Sequence, residues 1–211
     1  MQIGYGPFEG YGFHALEGLQ CMVERRSGGG TGVKAVTCHT GQAMWGALDK
    51  QPRAGPLLDA AIKLVPSHAK GDIRELSAKA KDSGVFEVEY RDGLRAFVVM
   101  PNGWVYEGDG GAFVFAGQRK GRAAPDACQF YLQQPDPFAH FAELTKAIDS
   151  LIQTGHAPYP VERTLLTTGI LDAVMTSRFN GGRRLETPHL EVKYRPTNWG
   201  HARGEIPNPQ K

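Results

Sequence analysis

The chain has 211 residues, 41% hydrophobic and 22% charged, with 24 basic and 22 acidic side chains that leave a formal charge of +2. A chain of this length can bury about 70% of its unfolded surface and needs no staples to hold a core. Its near-balanced charge excludes the long-range field that would drive binding to nucleic acid or an anionic membrane. No run approaches the roughly 20 apolar residues of a membrane span, and the opening MQIGYGPFEG lacks the basic and apolar regions of a signal peptide. Cys21, Cys38 and Cys128 are widely spaced with no CxxC, which fits a reducing, cytoplasmic compartment and argues against a disulfide framework.

From Tyr11 to Arg26 the apolar residues Phe13, Leu16, Leu19, Met22 and Val23 recur at helical spacing, and Ser27-Gly28-Gly29-Gly30 stops the helix. Val33 to Cys38 alternates like a strand. Residues 41–81 read helical in pieces; Pro56 opens one piece, with Leu57, Leu58, Ala61, Ile62 and Val65 on one face, and Pro66 closes it. Strands at 85–90 and 94–100 flank Arg91-Asp92-Gly93, a tight-hairpin signal. Pro101-Asn102-Gly103 turns the chain into 104–106, glycine-rich 108–111 leads to a strand at 112–116, and 128–132 forms another. The basic cluster Arg119-Lys120-Gly121-Arg122 reads as a solvated loop.

Asp136 can cap, and Pro137 can open, a helix whose Phe138, Phe141, Leu144, Ile148, Leu151 and Ile152 form an apolar stripe ending at Gly155. Pro160 begins another helix, which carries Leu165, Leu166, Ile170, Leu171, Val174 and Met175 and ends at Asn180-Gly181-Gly182. A last strand is expected at 190–194. The pattern predicts an α+β domain over 1–195, an open, mainly antiparallel sheet with helices packed on one face, followed by an extended tail at 196–211.

The stretch SGGGTGVK (27–34) fails as a phosphate loop: Val33 stands where GxxxxGK needs a glycine, and the stretch follows a helix, whereas a dinucleotide fingerprint follows a strand. The other six histidines lie on different elements with no HxxxH or HExxH, so no metal is expected. No GxSxG elbow supports acyl transfer. His14 differs, because helical rotation sets it on a stripe with Glu17, Gly18, Cys21 and Arg25, away from the apolar face. Gly18 leaves room there for a ligand or a second backbone, and Glu17 could orient the imidazole as a carboxylate does beside a general acid or base. The same residues also allow a plain helix cap or a His14–Glu17 bond. Arg163 and Glu186 read as structural ion partners, with ligand contact as the other reading of Arg163.

The segment GYGFHALEGLQCMVERR, together with DPFAHFAELTKAIDSLIQTG and the following PYPVERTLLTTGILDAVMTSRFNGGRRLETPHLEVKY, resembles the second domain of the glucose–fructose oxidoreductase and inositol dehydrogenase family (Gfo/Idh/MocA). Gly12, His14 and Glu17 match its DxGxH motif and the acidic residue three beyond the histidine; the aspartate position is Gly10. The resemblance implies a substrate-binding and oligomerising half of an NAD(P)-dependent sugar or polyol oxidoreductase, with a Rossmann domain in cis or in trans and homo-oligomers formed through the sheet. It implies His14 as acid or base, Glu17 as its orienting carboxylate, and Glu9, Tyr11 and Arg163 as substrate contacts. NAD or NADP would be held by the Rossmann domain, with no cofactor bound by this chain alone. The rival expectation is a non-catalytic carbohydrate-binding or oligomerisation module of the same fold.

Overall fold

A computed structural model describes residues 1–105, 112–132, 138 and 140–198. In chain order the elements are β1 (Gln2–Ile3), α1 (Phe8–Val23), β2 (Val33–Thr40), α2 (Gln42–Asp49), α3 (Ala54–Ile62), α4 (Ile73–Lys79), β3 (Gly84–Tyr90), β4 (Arg95–Met100), β5 (Phe113–Gly117), β6 (Asp126–Phe130), α5 (His140–Thr154), α6 (Val161–Phe179) and β7 (Leu185–Glu186). One 3-10 turn, Pro188–Leu190, follows. The strands form a single open sheet in the order β6-β5-β1-β4-β3-β2-β7. Every pairing is antiparallel except β1 with β4, so the expected α+β class with a mainly antiparallel sheet is what the chain adopts.

The parallel pair comes from a strand that periodicity cannot reveal. β1 is two residues long, too short for alternation to register, yet it sits mid-sheet with Gln2 opposite both Val98 and Phe115. The hairpin signal at 91–93 holds: Gly93 takes φ 88°, and Asp92 Oδ1 accepts from the Leu94 N–H at 3.2 Å. The strand expected at 190–194 is absent. There the chain makes the 3-10 turn, and Tyr194 bridges Gly30 alone, while Leu185–Glu186 pairs with β2. Val105, from the strand expected at 104–106, likewise forms only isolated bridges, to His68 and Asn102. The remaining elements match in position within a few residues. The capping pair Asp136-Pro137 and the glycine-rich 108–111 lie outside the described residues, as does most of the expected tail.

α1 starts at Phe8, three residues before its apolar periodicity predicts, because Pro7 supplies the extended N-cap geometry at φ −60° and ψ 138°. It packs on the face bearing Gln2, Val36, Phe86, Val88 and Val98, with α6 beside it. Phe8 meets Phe86 edge-on at 4.9 Å, an arrangement worth about 0.5–1.5 kcal/mol beyond area burial. Strand alternation turns Ile3, Val85, Val99 and Val114 to the opposite face, where all four are fully buried. α2 and α3 contact these strands and supply that second cover, so helices lie on both faces of the sheet and the expectation of helices on one face is corrected.

Toward β2 and β3 the second face becomes charged. His39 meets Glu87 at 3.1 Å, Arg95 reaches Glu87 at 3.3 Å, and Arg184 holds Glu89 through two bonds of 2.6 and 3.0 Å. Arg184 also pairs with Glu186, so Glu186 is an ion partner as its position suggested. Among the described residues no helix is long and apolar enough to cross a membrane.

The His14 corner and a buried polar network as candidate site

The loop from β1 into α1 builds one candidate site. Gly6 adopts φ +78°, and a Cβ there would meet the Tyr11 ring at 2.7 Å, so glycine is what lets Tyr11 lie over the loop. Asn102, just past β4, clasps the same loop: Gly6 N–H donates to its Oδ1 at 2.8 Å, and its Nδ2 donates to the carbonyls of Gly6 at 2.8 Å and Asp82 at 2.6 Å. Because β1 and β4 run parallel, their C-terminal ends meet here. Tyr5 stacks at a tilt on Tyr11 at 5.0 Å and on Phe113 at 5.1 Å.

His14 stands at this corner, exposed, with its ring edge-on to Tyr11 at 6.1 Å, Phe13 at 5.8 Å and Phe113 at 6.1 Å. Gly12, two residues earlier, is buried, and a Cβ there would press on the Phe86 ring at 3.1 Å. The glycine brings the helix down onto the sheet, and the histidine is carried to solvent on the other side. Glu9 is exposed in the first turn and Tyr11 is half-buried. Gly18 does not leave the open space that its stripe suggested: Gln2 Nε2 and the Phe130 ring lie at 3.2 and 3.3 Å from where its Cβ would be.

Glu17 points the other way. Thr167 Oγ1 donates to its carboxylate at 2.5 Å, and Arg163 lies 4.0 Å away. Burial pushes its carboxyl pKa up, opposed by the Thr167 bond and by the charges of Arg163 and, last, His14. His14 therefore acts on Glu17 through space, with no direct bond between them among the described residues.

Arg163 belongs to a second constellation, a buried chain that ties α1, β3, α6 and the C-terminal segment together. Its Nε donates to Glu24 at 3.0 Å, Nη2 makes a second bond to the same carboxylate, and its guanidinium lies 4.8 Å over the Tyr159 ring. Tyr194 O–H donates to Glu24 at 2.7 Å and accepts from Gln20 at 2.7 Å, while Tyr90 O–H donates to Gln20 at 2.8 Å. Glu24 is 0% and Arg163 5% exposed. Glu24 caps the C-terminal, negative end of α1, so its burial needs a cation. Burial raises both phenol pKa values, keeping Tyr90 and Tyr194 as neutral donors.

Sequence patterning finds Arg163 and misses its partners. The available signal is that 163, 166, 167, 170 and 174 continue one buried stripe of α6; an arginine on such a stripe calls for a buried acid. Tyr5, Asn102 and Phe113 carry no comparable signal, because three separate segments bring them to this corner.

The glycine-rich loop after α1 is filled by protein. Gly30 and Tyr194 exchange backbone bonds of 2.9 and 3.2 Å, a Cβ at Gly30 would overlap the Tyr194 ring, and one at Gly32 would meet the Leu190 carbonyl at 2.6 Å. Its space is committed to the C-terminal segment, so it does not fit a dinucleotide pyrophosphate. Among the described residues no three His, Cys, Asp or Glu side chains gather as metal ligands, and all three cysteines are free thiols. No family model, no curated protein and no solved structure matches this chain.

Proposed function

We propose that this chain is the substrate-binding and oligomerising half of a Gfo/Idh/MocA-like oxidoreductase that acts on a sugar or polyol and works with a Rossmann domain in cis or in trans. The observation that carries the reading is the exposed imidazole of His14 among Tyr11, Phe13 and Phe113. Aromatic surface beside one titratable group is the composition of small-molecule sites. In this reading His14 accepts the proton of a substrate hydroxyl as the carbon beneath it is oxidised. NAD(P), held by the partner domain, supplies the hydride acceptor. Glu17 contributes charge at a distance, Glu9 and Tyr11 border the corner, and Arg163 anchors the elements behind it.

A second feature supports a missing partner. α5 has no buried residue, and Phe141, Leu144, Ile148, Leu151 and Ile152 are all exposed along it, with Val161 and Leu165 of α6 exposed beyond. Such a continuous apolar stripe marks an interaction surface.

The test joins or mixes the chain with a Rossmann domain of this type and follows NAD(P)H absorbance across a polyol panel. Turnover reduced about 100-fold or more by His14→Ala is expected; turnover indifferent to that change removes His14 from the chemistry. Gly10 occupies the aspartate position of the motif, and its Cβ direction meets nothing within 4 Å. Gly10→Asp is therefore accommodated, and it raises turnover if the corner is a worn catalytic site.

The second reading, a non-catalytic carbohydrate-binding or oligomerisation module, is favoured by the attachment of Glu17 to Thr167. It predicts sugar binding by calorimetry, or self-association by sedimentation, with no turnover in any pairing and no gain from Gly10→Asp.

A further inference from the structure

The loop joining β5 to β6 and the turn before α3 border an open cleft of about 680 Å³, within the size range of small-molecule sites. Among the described residues four cations and no carboxylate line it: Arg53, Arg119, Lys120 and Arg122, with Pro56 and Leu57 forming an apolar wall. The loop is more than a solvated turn. Gln118 Nε2 donates to the Arg122 carbonyl at 2.6 Å, the Arg122 N–H donates to the Arg119 carbonyl at 3.2 Å, and Gly121 takes the positive φ of 82° that the turn requires. Arg119 clamps the strand bases through two bonds to Asp126, 2.6 and 3.0 Å long.

Arg119 is thus spent on shape; among the described residues Arg53, Lys120 and Arg122 enter no ion pair, and Arg122 acts on Asp126 only through space. A chain with nearly balanced charge has ample acid to scatter among these cations. Holding three of them unpaired around one cleft costs mutual repulsion that a bound anion relieves.

We propose that this cleft binds a small phosphorylated molecule, its phosphoryl group between Arg53, Lys120 and Arg122 and its organic part against Pro56 and Leu57. The cleft lies beyond the Gly117 end of β5, whereas His14 neighbours Phe113 at the other end. The two sites are separate, and either can fail without the other.

The test is calorimetry on the full chain at low ionic strength with inorganic pyrophosphate, a phosphorylated sugar and the same sugar without phosphate. Saturable one-to-one binding of the two phosphorylated probes is expected, with the unphosphorylated sugar silent at this cleft. Lys120→Ala with Arg122→Ala weakens binding at least about tenfold, or 1.4 kcal/mol, while Lys120→Arg retains it. Both residues are exposed, so an unfolding midpoint of the double variant at or above the parent's serves as the folding control. An unchanged Kd in the double variant overturns the proposal, as does the absence of saturation by either phosphorylated probe. Tighter binding of random-sequence duplex DNA, with the steep salt dependence of many phosphate contacts, assigns the cations to nucleic acid and overturns it as well.

Discussion

Replacing Arg163 with methionine tests what holds the sheet, α1, α6 and the C-terminal segment together. The side chains of Arg163 and Glu24 are 6% and 0% exposed, so the variant leaves a carboxylate in the interior with Tyr194 O–H as its remaining donor. Removing one partner of a buried pair costs about 3–5 kcal/mol, because the surviving charge keeps its desolvation penalty. For a chain of this size each kcal/mol moves the thermal midpoint by about 2–4 °C, so a fall of roughly 6–20 °C is expected. Adding Glu24→Gln removes the stranded charge and keeps an acceptor for Tyr194. The double variant therefore regains most of the loss, with a coupling of at least about 2 kcal/mol in the mutant cycle. Urea unfolding at neutral pH, followed by circular dichroism, reads all four corners. A cost below about 1 kcal/mol for Arg163→Met, or costs that add within about 0.5 kcal/mol, refutes the account of a buried pair that must be kept whole.

Three further outcomes follow from the same geometry. Burial raises the Glu17 carboxyl pKa, so the stability it contributes is full below the ordinary carboxylate pKa and is lost as pH rises through the raised value. Glu17→Gln should accordingly gain on the parent between acid and neutral pH, and a stability difference that stays flat across that range contradicts the assignment. Gly30→Ala drives a methyl into the Tyr194 ring and loosens the hydroxyl that bonds Glu24; about 2 kcal/mol of destabilisation is expected from overpacking, and an unchanged urea midpoint shows that the segment yields freely. Burial pushes the Cys38 thiol up to about 12, so in a thiol-labelling time course the half-buried Cys21 and Cys128 react first and Cys38 waits for unfolding. Rapid labelling of Cys38 in the native chain excludes the buried placement.

The long elements were legible because their information is local. The stripe Leu166, Ile170 and Val174, with Pro160 before it and Asn180-Gly181-Gly182 after it, marks α6 with no knowledge of its neighbours. The Asp92-Gly93 turn does the same for the β3–β4 hairpin. Helical rotation also set His14 on the outward side of α1, where the fold leaves it exposed.

What periodicity could not reach depends on segments far apart in the chain. Two residues of β1 become a central strand only because β4 and β5 offer it edges. Gly18 looked open on its own helix, but Gln2 and Phe130 fill the space it leaves. Glu17 was equally free, by spacing, to turn toward His14 or toward α6, and the hydroxyl of Thr167, 150 positions away, decided the matter. The sequence by itself determined the α+β class, the principal helices and the outward histidine, through hydrophobic period and turn chemistry. Only the tertiary structure decided the partners of Arg163 and Glu17 and the surroundings of His14. A buried charge or an aromatic contact is satisfied by whichever distant group the fold delivers, and local spacing carries no record of that delivery.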